Sequence, residues 1–183
     1  MPPRHRGPAR AEGEVNAITD QELKDYSADH LYYELWMLYE TATLLVHSLG
    51  GAEVNFVIRN AVLESFAVHA RSLAGFLYHE SKRDDDVTAE DYVENLEAWR
   101  VARGQMPNEL DVTVFRTGKE VAHLTTKRYP PGSSQKVWSL KDIFRAFIQP
   151  LKLFVTHALP GRLDVSVIAF IGSLPSPRQA AEG

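Results

Sequence analysis

Leucine spacing commits the first half of this chain to helices. Leu31, Leu35, Leu38, Ala42, Leu45 and Leu49 recur at intervals of three and four, which lines them up along one stripe of an α-helix. Thr19 or Asp20 can cap that helix, Glu22 adds negative charge to its first turn, and Gly50-Gly51 stops it near residue 49. A second pattern runs from about 53 to 81. Val54, Ile58, Val62, Ser65, His69, Ser72 and Phe76 share one face, and Asn60, Glu64, Ala67, Arg71, Ala74 and Tyr78 the opposite one. Apolar flanks between these faces predict a helix with contacts nearly all round. Two long helices joined by a glycine pair must fold back on each other, so antiparallel helical packing follows.

The second half continues in the same class. Asp84-Asp85-Asp86 leads to a third helix, with Thr88-x-x-Asp91 as a capping box and Tyr92, Leu96 and Trp99 as its apolar face. A fourth helix follows Pro107 and runs to about 128, with Leu110, Val114, Val121 and Leu124 inward and Gly118 admitting a close neighbour. After the loop Tyr129-Pro-Pro-Gly-Ser-Ser, a fifth opens at Ser139. Pro150 should kink or split it, because proline lacks an N–H and crowds the preceding turn. The expected fold is all-α, an up-and-down bundle of about five helices over 19–160. A disordered basic tail is expected over 1–18. Adjacent valine and isoleucine after Asp164 predict an extended arm over 161–183, ending in a second tail.

Composition excludes several function classes. The chain has no cysteine, so there is no disulfide framework, thiolate zinc site or cysteine nucleophile. No run approaches the roughly 20 apolar residues of a membrane span. No apolar stretch follows the basic N-terminus, so no membrane association is expected and cytoplasm is the expected location. Arg4, Arg6 and Arg10 carry the tail's charge. The remaining chain holds 17 basic against 24 acidic residues, and an acidic body makes a poor generic nucleic-acid binder.

The strongest candidate for chemistry is Arg116-Thr-Gly-Lys-Glu-Val-Ala-His123. Seven residues advance an ideal helix by nearly two turns, so Arg116 and His123 would leave one face, with Lys119, Glu120 and Lys127 beside them. Arginine can hold a phosphate at two points, and histidine titrates near neutrality. Together they suit metal-independent RNA cleavage, in which Arg116 grips phosphate, His123 moves the proton and Lys119 adds field. The same ridge could equally bind an anion or face water. Glu64 and Arg71, on the second helix, could reach across to it or form a structural pair. His69 is expected to be a buried structural histidine, hydrogen-bonded to a serine or a carbonyl.

No metal or cofactor site is expected. Glu120-x-x-His123 has the spacing of a di-iron carboxylate bundle, but no second copy exists and Lys119 and Lys127 would repel a cation. The Asp84–Asp86 run lacks the glycine and terminal glutamate of a calcium loop. The aromatics Tyr32, Tyr33, Trp36 and Tyr39 are spread around the first helix and read as core plus a partner surface.

An arginine, six intervening residues and a histidine on a late helix resemble the signature of the HEPN superfamily of helical RNases and defence proteins. Thr117 stands where that superfamily favours asparagine. The resemblance implies RNase or RNA-binding activity at Arg116 and His123, a homodimer, and a toxin's or defence component's role with an antitoxin or other protein partner. A second likeness is carried by Leu63–Leu73, the Asp84 run and Val121–Arg128, which together look like a group of small bacterial helical proteins of unassigned activity. It points at His69, Arg71 and His123 as features of that group. The alternative from a different class is a non-catalytic helical interaction protein.

Overall fold

The computed structural model describes residues 18–47, 55–79, 85–123, 125–126, 128, 133 and 137–175. Among them the regular structure is helical, joined by turns and irregular segments, with one isolated bridge between Val93 and Ala158. The first helix is α1, Asp20–Tyr26, running through a π-helical segment, Ser27–Leu31, into α2, Tyr32–His47. Thr19 caps it in a reciprocal box with Glu22, satisfying two end groups that would otherwise lack partners. Leu31, Leu35, Leu38 and Leu45 are buried as the stripe requires. Leu49 and Gly50-Gly51 lie outside the described residues.

Helix α3, Phe56–Tyr78, starts from an Asn55 cap and packs antiparallel to α2. Its burial is one-ended. Phe66, Ala67, His69, Ala70, Leu73, Ala74, Leu77 and Tyr78 are buried, whereas Phe56, Val57 and Ile58 stand exposed. Contact nearly all round is therefore not what the fold shows: even the C-terminal half leaves Val68, Arg71 and Ser72 exposed, while α2, α5 and α6 pack on α3.

The Thr88–Asp91 capping box forms, but it starts a single 3₁₀ turn, Ala89–Asp91, before Asn95 caps α4, Leu96–Arg103. Helix α5, Asn108–Arg116, passes into a second π-helical segment, Thr117–Ala122. The expected α-helix to 128 therefore ends early. Gly118 has no close neighbour, since a Cβ built there would meet nothing within 4 Å.

Helix α6, Leu140–His157, carries Pro150 inside it without a break, which corrects the expected split. Pro150 and its neighbours Ile148 and Leu151 are buried, so packing holds the helix through the missing hydrogen bond. Around it Phe154, Tyr92 and Phe76 form a triangle of edge-on rings with centroids 5.2–5.9 Å apart, an arrangement aromatic quadrupoles favour.

The expected extended arm is helix α7, Val165–Ser173. Asp164 caps it by accepting from the Ser166 N–H, and Val167 and Ile171, four apart, are buried. The Ser166 hydroxyl, donating to the same carboxylate at 2.7 Å, and then the Ser166 N–H hold the Asp164 carboxyl below its usual range. Phe170 meets Tyr32 and Tyr39 edge-on, and Lys152 binds the Leu174 and Pro175 carbonyls. Burial against α6 and α2 overrides the weak helix propensity of adjacent Val and Ile. Residues 1–17 and 176–183, expected as tails, lie outside the described residues.

Candidate functional site

Both π-helical segments begin at a buried hydroxyl residue that bonds backward. Ser27, fully buried, donates to the Lys24 carbonyl at 2.7 Å and accepts from the Asp164 N–H at 2.8 Å. Thr117, 1% exposed, donates to the Thr113 carbonyl at 2.7 Å and the Ala67 carbonyl at 3.2 Å. A hydroxyl bonded to its own preceding turn loosens the regular ladder. Each hydroxyl also fastens its helix to a distant element, Ser27 to α7 and Thr117 to the middle of α3. The two π-helical segments start at these two fastened residues.

The widening dismantles the expected charge ridge. A π turn bonds five residues apart rather than four, so the progression of about 100° per residue that aligned Arg116 with His123 is lost. His123 lies beyond the helix with extended backbone, φ −133° and ψ 145°, and is exposed. Its carbonyl accepts from Arg128 at 3.2–3.3 Å.

Arg116 is turned inward and its side chain is 8% exposed. Its Nε and Nη2 donate to the two Glu120 carboxylate oxygens at 2.9 and 3.1 Å, and Nη1 donates to the Val137 carbonyl at 3.1 Å. The Trp138 ring covers the guanidinium face at 4.2 Å. Lys119, half-buried, sits over Phe115 at 5.9 Å. Neither Arg116 nor His123 lines the cleft between the first helix and α3. Lys127 lies outside the described residues.

His69 is buried, as the register of α3 requires, and its Nδ1 meets Glu34 Oε2 at 2.8 Å. The partner is a carboxylate from α2, not a serine or a carbonyl. Tyr33 packs edge-on against the same imidazole at 5.6 Å. Glu64 is exposed and makes no ion pair among the described residues, so the proposed Glu64–Arg71 pair is absent there.

Above the His69–Glu34 pair lies a cleft of about 600 Å³ between the first helix, α3 and the 86–88 loop. Its charged and aromatic lining comprises Tyr26, His30, Tyr33, Glu34, Arg71, Phe76, His79 and Asp86. Burial first, then the Glu34 and Asp86 charges, push the Tyr26 phenol up, so it stays protonated as a donor. Both π segments border this one cleft, the first through His30 and Leu31, the second through Thr117 and Ala122.

Sequence reading placed Arg71 among the candidates and Tyr33 among aromatics of the core and a partner surface, and did not single out the rest of this lining as a site. Tyr26 and His30, four apart with rings 4.7 Å apart, had a local signal in their spacing. Glu34 had none, because its partner is 35 residues away. Among the described residues, no group of three or more His, Asp or Glu side chains is placed to hold a metal ion. No helix there is long and apolar enough to cross a membrane. No family model, curated protein or solved structure matches the chain.

Proposed function

We propose that this chain is a helical binding protein that works through the cleft between its first helix and α3, and that Arg116 and His123 are not an RNA-cleaving pair. The observation that carries this reading is the convergence of two π-helical segments on one cleft. Such segments are rare in helices and concentrate at functional sites. Arg116 supports the second half of the reading. Gripping a phosphate would require breaking a bidentate carboxylate pair, a carbonyl bond and an aromatic stack at once.

The test is incubation of the protein with total RNA in chelator, wild type beside His123→Ala. No cleavage by wild type above a heat-inactivated control is the expected result. Chelator-resistant cleavage that disappears in His123→Ala would overturn the reading. It would return the chain to the HEPN-like RNases, with the homodimer and antitoxin which that resemblance implies. Removing a general acid–base group lowers rates by about 10² to 10⁴, so the two outcomes are well separated.

A further inference from the structure

The composition of the cleft narrows what it can take. Tyr26 and Tyr33 are 39% and 47% exposed, and both line it. Together with His30 they offer aromatic surface to a planar ring, which favours stacked or edge-on contact. Arg71 adds a guanidinium that makes no ion pair among the described residues, and a free guanidinium is suited to a carboxylate or phosphate. Along α3 the lining runs from Val68 to His79, about 16 Å at the helical rise. Arg71 stands near one end of that run and Asp86 near the other, beside Tyr26. Glu34 lies towards the Arg71 end, with its Oε2 on His69 two positions before Arg71, and its Oε1 can accept from a ring N–H group. A volume near 600 Å³ falls within the range for small-molecule sites.

We propose that this cleft binds a small ligand made of a planar, N–H-bearing aromatic ring and one anionic group, with the ring against Tyr26, His30 and Tyr33 and the anion on Arg71. The proposal rests on the cleft being the working site. Two sources share this chemistry, a nucleoside monophosphate and an indole-type carboxylate. The acidic balance of the body beyond residue 10, 17 basic against 24 acidic residues, disfavours a polyanion and favours a ligand with a single anionic group.

The experiment is a titration of ¹⁵N-labelled full chain with adenosine 5′-monophosphate, adenosine, indole-3-acetate, indole and inorganic phosphate, followed by amide shifts. One of the two ring-plus-anion probes should bind saturably, with shifts at cleft residues and at least tenfold tighter than its neutral ring or phosphate alone. The preferred probe identifies the source. Arg71→Gln should weaken that probe at least tenfold and leave the neutral ring unchanged, while Tyr33→Ala should weaken both. Arg59→Gln, an equal charge change on the same helix away from the cleft, should leave binding unchanged. Equal binding with and without the anionic group, indifference to Arg71→Gln, or no binding by any probe would overturn the ligand class. Shifts centred away from the cleft would instead overturn the cleft as the working site.

Discussion

Arg116 and Arg71 present the same guanidinium in opposite circumstances. Arg116 ends α5 and is closed in by Glu120, the Val137 carbonyl and Trp138. Arg71 sits midway along α3, exposed, at the edge of a cleft whose described residues offer it no ion pair. Sequence spacing favoured Arg116, because it has a histidine seven residues on. The fold satisfies the donors of Arg116 and leaves Arg71 without an ion pair among the described residues. A motif read along one helix reports which residues could cooperate, and the packing around it determines which remain available.

The comparison breaks most readily at Arg116. Arg116→Ala would leave Glu120, 11% exposed, without its cation. Removing one partner of a buried pair costs about 3–5 kcal/mol, against about 0.5 kcal/mol or less for Arg71→Ala at an exposed site. Urea unfolding of the two variants measures the contrast directly. If Arg116→Ala lay within 1 kcal/mol of Arg71→Ala, the description of Arg116 as structural would be wrong.

A smaller effect is expected beneath the cleft. Glu34→Ala leaves the His69 Nδ1 buried without its partner, a loss worth about 1–3 kcal/mol. Pairing it with His69→Ala in a double-mutant cycle should return a coupling of about 0.5–3 kcal/mol. Additive losses would mean that the two side chains are neighbours without being partners.

The smallest effect sets the scale for an exposed pair. Arg100 donates to both Glu90 oxygens at 2.7 Å, and those hydrogen bonds hold the Glu90 carboxyl below its ordinary range. A carboxyl lowered by folding contributes stability above its unfolded value, about pH 4.3, and loses it as pH falls through the lowered folded value. Arg100 is 50% exposed, so solvent screening limits the contribution to about 0.2–1 kcal/mol. Glu90→Gln should therefore be slightly less stable than wild type at pH 7. The gap should close as pH drops below the unfolded value and be gone once it passes the folded one, as thermal melts across that range would record. A gap that widened on acidification would have the wrong sign.

The sequence by itself determined the helical class, the leucine stripe of the first helix, the caps at Thr19 and Thr88, and the burial of His69. Each is written within one to a few turns, where period and capping chemistry act. Arg71 was the one cleft residue among its candidates. Tertiary structure decided the two π segments, the helical C-terminal segment, the continuity through Pro150 and the inward turn of Arg116. These depend on partners that local periodicity does not see. Arg116 bonds Val137, His69 bonds Glu34, Thr117 bonds Ala67 and Ser27 bonds Asp164, across 21, 35, 50 and 137 positions. A buried polar group must find such a partner somewhere in the folded chain, and only the packed bundle says which one.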